Sequence, residues 1–426
     1  MAVGDEERTV HGLFLRSASR HPKRIALQFH HNFHVCDHPS LSQTANFFTY
    51  AQVRIMATAA ARVLQGRGVG PRCIVATCVD EGHLMIITQL AILLAGGAFV
   101  PVDPNFPNQR IAYMLQDSQA SFVVARGGDI SKITLALQNK PDVLEASGGI
   151  PTRVPAKCID VKDLVASADD MDVNAGNDFG DEQATTEDGD DSDDEGNGHD
   201  CWIYYTSGST GLPKGVLCQH RCAVGYLTHH PFFLAHVVGS TTTADSGRDT
   251  QPETQIETGD ASAHESKRHC RGVAAQQQQE NIEPDEVRVL VPSSFTFDPS
   301  AGDIFATLAH GGTVCVAPRG AMLSDLSGCL SSFAATHVCS TPAIWRTVTK
   351  DPSELGHLRV VALGGEPMPD AVVARWAHAV TLLNLYGTTE ATVYQMMRRM
   401  SVGDSPKLLG APLPGLHICV LRLLHT

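Results

Sequence analysis

The chain of 426 residues has no C-x-x-C pair among its 12 scattered cysteines. It is also far longer than a disulfide-stapled scaffold, so its cysteines are expected as reduced, buried thiols of a cytoplasmic protein. An excess of basic residues is lacking too. The net charge is −14, but residues 169–200 alone hold 14 Asp and Glu and no Lys or Arg, and the rest balances at 32 acids against 32 bases. That neutrality gives no support to a nucleic-acid or membrane partner. The N-terminus, Met1-Ala-Val-Gly-Asp-Glu-Glu-Arg8, lacks the apolar run of an ordinary secretory signal. Long hydrophobic runs are nearly missing. The one candidate, residues 84–102, holds 19 residues without a charge, but Gly96-Gly97 interrupts it, and a buried helix followed by a strand is the expected reading.

What is present alternates. Runs at 25–29, 74–78, 99–102 and 122–124 read as strands, and 50–65 and 83–95 as helices, which indicates parallel βαβ units. Strand patterns resume at 287–291, 312–317, 337–340, 360–363 and 382–385. Between the two series lie an acidic stretch, 167–199, and a polar one, 239–286. Both are poor in core-forming residues and are expected as disordered insertions, with a compact apolar segment, 201–236, between them. At this length two or three sub-domains are expected. His30, His31, His34, Cys36 and His38 crowd nine residues, but their irregular spacing fits no zinc pattern, and a polar loop over 30–46 is the simpler reading.

The strongest chemical signal is Tyr204-Tyr-Thr-Ser-Gly-Ser-Thr-Gly-Leu-Pro-Lys-Gly-Val216. Glycines let backbone N–H groups approach an anion, hydroxyls add donors and Lys214 adds charge, so the loop suits phosphate binding. No glycine precedes Lys214 at Walker A spacing, so it is not that loop.

Residues 206–215 resemble the signature phosphate loop of the adenylate-forming superfamily, which includes acyl-CoA synthetases, luciferases and nonribosomal-peptide adenylation domains. Other segments match it in order: Phe48-Thr-Tyr50, Leu94-Ala-Gly-Gly-Ala-Phe-Val-Pro-Val-Asp-Pro104 with Arg110-Ile-Ala-Tyr-Met-Leu-Gln-Asp117, Phe297-Asp-Pro-Ser300, Ala362-Leu-Gly-Gly-Glu366, Asn384-Leu-Tyr-Gly-Thr-Thr-Glu390 and Lys407-Leu-Leu-Gly-Ala-Pro-Leu-Pro-Gly415. The charged insertion, the Phe-Asp-Pro-Ser motif and the run Arg359-Val-Val-Ala-Leu-Gly-Gly-Glu366 are similar to the branch of the β-alanine-activating enzyme, acyl-CoA synthetase family member 4.

The resemblance implies an α/β fold with two doubly wound sub-domains and the start of a β-barrel, residues 1–421 forming the large portion of an AMP-binding adenylation domain. It implies ATP-dependent activation of an amino acid, an α-amino acid or β-alanine, as its acyl-AMP, with transfer to the phosphopantetheine thiol of a carrier protein or of CoA. By the same resemblance Thr206, Ser207, Gly208, Ser209, Thr210, Gly211 and Lys214 hold the β- and γ-phosphates; Gly364, Gly365 and Glu366 line the adenine, with Tyr386 stacked on it, Asn384 at its edge, and Gly387 and Thr388 in the same nucleotide motif. Thr389 contacts the α-phosphate and Glu390 holds Mg²⁺, consistent with that ion's preference for one or two carboxylates plus phosphate oxygens. Asp298 pairs with the substrate ammonium, its residue-level alternative being a turn cap before Pro299. Pro299, Gly302, Ser340, Val361, Leu363, Leu385, Val393 and Tyr394 complete the acid pocket.

Two departures stand out. Tyr386-Gly-Thr-Thr-Glu390 has Thr where relatives usually have Pro, and the sequence given ends six residues after Val420. The ribose-binding Asp motif and the mobile sub-domain with its catalytic Lys are therefore expected to be absent, residues 422–426 being a truncated end. Two rival functions follow: an acyl-CoA ligase for a fatty or aryl acid, against which Asp298 argues, and an ATP-binding protein without catalysis.

Overall fold

The computed structural model describes residues 8–30, 45–79, 82–138, 157–164, 200–207, 212–234 and 287–419. Both insertions, Gly208–Gly211 of the phosphate loop, and His31, His34, Cys36 and His38 lie outside them.

Fold follows from which way successive strand residues point. A strand sends alternate side chains to opposite faces, and here both faces are apolar. In Val360–Leu363, Val360 and Ala362 enter one core, while Val361 and Leu363 enter another. In Phe122–Ala125, Phe122 and Val124 join that same first core, and Val123 and Ala125 join a third. Two sheets therefore share one central core, each with a further core on its outer face. Helices Val10–Arg20, Tyr50–Gly66, His83–Leu94, His220–Thr228 and Asp298–Ala309 fill the central layer. Helices Asn108–Asp117 and Gly127–Gln138 cover one outer face, and Arg319–Ser324, Leu326–Ser332 and Asp370–Trp376 the other. Five layers result, with helices on both faces of each sheet, as expected for doubly wound units.

The larger sheet has nine strands in the order Ala411–Pro412, Met396–Arg399, Thr381–Tyr386, Val360–Leu363, His337–Ser340, Arg288–Leu290, Thr313–Val316, Ile25–His30 and Ala45–Thr49. Its middle is parallel and its edges are antiparallel. The segment expected to open a barrel supplies, within the described residues, the outermost strand of this sheet. The smaller sheet runs Lys157–Asp160, Phe122–Ala125, Ile74–Cys78, Ala98–Pro101, Asp200–Thr206 and Lys214–Gln219, closing on an antiparallel hairpin.

The uncharged run at 84–102 resolves into a 12-residue helix, His83–Leu94, and the strand Ala98–Pro101. The helix is apolar all round because it lies between the sheets, with Met85 to Leu93 all buried. Among the described residues no helix is long and apolar enough to cross a membrane. The ten described cysteines are free.

Thr49 and Tyr50 show why the early motif matters. Thr49 caps the helix Tyr50–Gly66 in a reciprocal capping box with Gln52. The fully buried Tyr50 hydroxyl donates toward the carbonyls of Gly312 (2.8 Å) and Leu308 (3.2 Å). It thereby satisfies the C-terminal end of the helix that begins at Asp298.

Candidate active site

The phosphate loop joins two antiparallel strands, Thr206 pairing with Lys214 at its base. Ser207 and Lys214 are exposed and Thr206 is half-buried, so the polar groups stand at the open end of the hairpin. Its root is held from the helix Asn108–Asp117. The Tyr113 hydroxyl donates to the Pro213 carbonyl (3.0 Å), and the Tyr205 hydroxyl donates to Asp117 Oδ2 (2.7 Å). Tyr113 and Asp117 lie four residues apart and so share a helix face. That accounts physically for the Arg110–Asp117 motif, whose part in the site the sequence did not reveal.

Opposite lies the turn after the strand Thr381–Tyr386. Thr392 (φ 71°) and Val393 (φ 61°) both take left-handed backbone, rare for any residue with a Cβ and rarer still for a β-branched one. Strain of this kind costs on the order of 1–3 kcal/mol per residue and persists where neighbours over-determine it. Gln395 is that neighbour. Its Oε1 accepts from the Thr388 N–H (2.7 Å), while Nε2 donates to the carbonyls of Ala391 (3.0 Å) and Thr392 (3.2 Å). Glycines allow the close approach: a Cβ at Gly387 would lie 2.4 Å from Tyr394 Cα, and one at Gly364 would lie 2.6 Å from Tyr394 Cε1.

The two regions meet at Asp298, the first residue of the helix Asp298–Ala309. Asp298 is 4% exposed. Its Oδ1 accepts from the Thr389 hydroxyl (3.1 Å), while its buried Oδ2 has no hydrogen-bond partner among the described residues. Burial pushes the carboxyl up to about 6, against the pull of the Thr389 hydrogen bond, and the Glu390 carboxylate adds to the rise. The helix cap is Phe297, without a side-chain cap bond, so the turn-cap alternative for Asp298 does not describe its geometry.

Below Asp298 on the same helix, Asp303 Oδ1 lies 3.2 Å from His230 Nε2, both side chains 1% exposed. His230 Nδ1 accepts from the Phe232 N–H (3.3 Å), which puts the ring proton of the neutral imidazole on Nε2, facing Asp303. Burial lowers the His230 imidazole to about 3 and raises the Asp303 carboxyl well above its ordinary value, both in the direction of the uncharged form.

The AMP-binding enzyme family model matches residues 14–243 and 264–422. The chain belongs to the AMP-binding enzyme family. Among curated relatives, a linear gramicidin synthase of Brevibacillus parabrevis is 28% identical over 417 residues, covering 97% of this chain and 6% of that protein. Nonribosomal peptide synthetase sidE of Aspergillus fumigatus is 27% identical over 419 residues, covering 98% and 15%. The chain thus spans a small fraction of these relatives. Among solved structures, the complex of VinN with L-aspartate superposes with a TM-score of 0.67 at 18% identity, covering 98% of this chain and 85% of that one. The N-terminal subdomain of Klebsiella oxytoca NpsA gives 0.61 at 19% identity, covering 95% and 80%. These likenesses establish the fold.

For an AMP-binding enzyme the described residues fit a magnesium nucleotide. Thr206, Ser207 and Lys214 offer donors and positive charge for phosphates, and the exposed Glu390 offers one carboxylate for Mg²⁺. Tyr386, 48% exposed, presents an open ring, and Gly365 (φ +82°) and Glu366 lie exposed after the strand Val360–Leu363. Bound Mg²⁺ would neutralise charge on the phosphates.

Several expected roles change. Asn384 is buried, and its Nδ2 donates to the carbonyls of Pro406 and Leu408 (both 3.0 Å). It ties down the following turn instead of offering hydrogens to an adenine edge. Thr389 donates its hydroxyl hydrogen to Asp298 Oδ1 (3.1 Å). Val361 and Leu363 pack in the outer core, and Ser340 pairs with Leu363 in register and shares its face. These three point away from Asp298. The residues one position earlier or between, Cys339 and Ala362, face the central core with Leu385, Val393 and Tyr394. Pro299 and Gly302 do lie on the Asp298 helix as expected. Of the histidine cluster only His30 is described. It ends the strand Ile25–His30, with Nε2 3.0 Å from Gln28 Nε2 and its ring edge-on to Phe333. Among the described residues no group of three or more His, Cys, Asp or Glu could hold a metal.

Proposed function

We propose that this protein activates an amino acid, an α-amino acid or β-alanine, as its aminoacyl-AMP, releasing pyrophosphate, and passes the acyl group to the phosphopantetheine thiol of a carrier protein. The observation that carries this reading is the Asp298 carboxylate: deeply buried, held by the Thr389 hydroxyl and nearby backbone N–H groups, and paired with no cation among the described residues. A buried carboxylate is costly unless a cation completes it, and a substrate ammonium is such a cation. Fatty and aryl acids bring none. Thr389 and Glu390 are adjacent, so the ammonium site and the metal-holding carboxylate share one turn. The substrate's carboxylate end then comes within reach of the nucleotide side, where Lys214 and the loop hydroxyls would hold the phosphates against the charge that builds as the acid attacks.

The relatives support a carrier-linked setting, since they are peptide synthetases, and one solved neighbour is described as an artificially fused adenylation–PCP di-domain from Klebsiella oxytoca. The test is pyrophosphate–ATP exchange with amino acids, fatty acids and aryl acids in parallel. Exchange driven by amino acids alone is the expected result. Exchange driven by fatty or aryl acids makes the protein an acyl ligase, and nucleotide binding with no exchange makes it a binding protein.

A further inference from the structure

Resting on the amino-acid reading above, we propose that Tyr226 and Tyr394 close the acid pocket at short range, so that the substrate is a short amino acid of the size of glycine, alanine or β-alanine. Glycine at two pocket positions, Gly302 and Gly364, would ordinarily signal room for a large side chain. Here that room is taken.

Gly302 lies four residues after Asp298 and therefore on the same face of the helix. A Cβ at Gly302 would stand 2.9 Å from Tyr226 Cε1 and 3.4 Å from Val393 Cγ1, so the phenol ring of Tyr226 rests against bare helix backbone. Across from it, a Cβ at Gly364 would stand 2.6 Å from Tyr394 Cε1 and 2.9 Å from its hydroxyl oxygen, and a Cβ at Gly387 would stand 2.4 Å from Tyr394 Cα. Tyr394 is thus wedged between two glycines. Both rings are buried, Tyr226 at 7% and Tyr394 at 4% exposure. Gly302 stands one turn after Asp298, and the point above it that Tyr226 covers also touches Val393, the neighbour of Tyr394, so both rings stand beside the Asp298 end of this helix.

Neither ring is placed to swing aside. Tyr226 packs edge-on to His230 with centroids 5.3 Å apart, and His230 is itself held by the Phe232 N–H and packed against the Phe232 ring. Tyr394 follows the strained pair Thr392 and Val393, which Gln395 clamps. A longer side chain would have to displace a ring from a close-packed core, and even a single methylene in such a pocket shifts selection by roughly 10- to 200-fold. Tyr226 was not expected among the pocket residues. It lies on His220–Thr228, the helix after the phosphate hairpin, and reaches the pocket only through the fold.

The experiment is calorimetric binding of stable aminoacyl-sulfamoyl-adenosines to the full chain, using glycyl, β-alanyl, leucyl and phenylalanyl forms beside acetyl-sulfamoyl-adenosine and plain sulfamoyl-adenosine. The expected result is tightest binding of the glycyl or β-alanyl form, with the leucyl and phenylalanyl forms at least about 100-fold weaker. Tyr226→Ala is expected to raise affinity for the leucyl form relative to the glycyl form at least about 10-fold, while Tyr226→Phe keeps the exclusion. Wild-type protein binding the phenylalanyl form as tightly as the glycyl form overturns the size limit alone, whether or not the variants fold. Aminoacyl forms binding no better than the acetyl form overturn the amino-acid reading, and the size limit with it.

Discussion

The phosphate hairpin shows Ser207 and Lys214 to solvent, whereas Asp298 hides its carboxylate in the central core beside three tyrosines. In the proposed reading the first region would hold phosphates by surface donors on a short hairpin whose root is pinned by Tyr113, Asp117 and Tyr205. In the same proposed reading the second would hold an ammonium by a buried carboxylate, set by a helix N-terminus and a strained turn. Charge at an exposed site is screened and cheap to change, while charge at a buried site is costly in either protonation state. Substitutions should therefore separate the two regions by the size of effect and by the property that moves.

The largest effect on stability is expected in the strained turn beside Asp298. Gly387→Ala would put a methyl 2.4 Å from Tyr394 Cα and from the Val393 carbonyl oxygen, both backbone atoms that cannot rotate away. Overpacking of this kind costs about 1–3 kcal/mol and more where backbone must move. Urea unfolding should show a loss at or above the top of that range. A midpoint within error of wild type would mean the 388–393 turn is softer than its geometry implies.

Asp298→Asn comes next and moves binding and stability in opposite directions. Because burial raises this carboxyl to about 6, above an ordinary unfolded-state value near 3.9, the folded protein binds more protons between those values. Stability contributed at this site is therefore present below pH 4 and declines as pH rises to 6, at about 1.4 kcal/mol per unit. The asparagine variant should lack that decline and be the more stable protein at pH 7. Its affinity for amino acids should fall strongly, a buried ion pair losing one partner costing roughly 3–5 kcal/mol, with ATP affinity unchanged. Wild-type amino-acid affinity should itself weaken as pH drops through about 6. Titration calorimetry from pH 5 to 8 on both proteins reads the affinities, and urea unfolding from about pH 3.5 to 8 reads the stability. Equal amino-acid affinity in the two would remove Asp298 from the site.

How much of this was legible in the sequence follows the same division. The phosphate loop could be read directly, because its chemistry is carried by glycines, hydroxyls and a lysine in consecutive positions. The strands were legible to within a residue or two, for example 74–78, 337–340 and 360–363 as expected, since short apolar runs between turn residues have few other readings. The acid pocket was legible only at Asp298 and its neighbours. Strands such as Val360–Leu363 and His337–Ser340 are buried on both faces, so hydrophobicity does not alternate and nothing in the sequence says which residues face the site. Val361, Leu363 and Ser340 read as lining residues in the sequence, whereas in the fold Ala362 and Cys339 face the central core. Tyr226, His230 and Gln395 were invisible for a different reason: their partners lie far off in the chain or depend on a turn conformation unusual for Thr392 and Val393.

The smallest effect should come from the root of the phosphate hairpin. Tyr205→Phe deletes the 2.7 Å hydrogen bond to Asp117 Oδ2 and leaves the ring in place. Tyr205 is half-buried, so water can reach Asp117 in the variant, and the loss should be near the ordinary value of about 1 kcal/mol for one hydrogen bond. The same bond fixes the strand that carries Thr206 and pairs with Lys214. Nucleotide affinity should fall several-fold as the hairpin loosens, while the ranking of acids stays as in wild type, because Asp298, Tyr226 and Tyr394 lie in another layer. Measuring ATP and amino-acid affinities on one preparation decides the matter. A changed acid ranking would show that the exposed and buried regions are mechanically one unit, and the contrast between them would then describe only their surroundings.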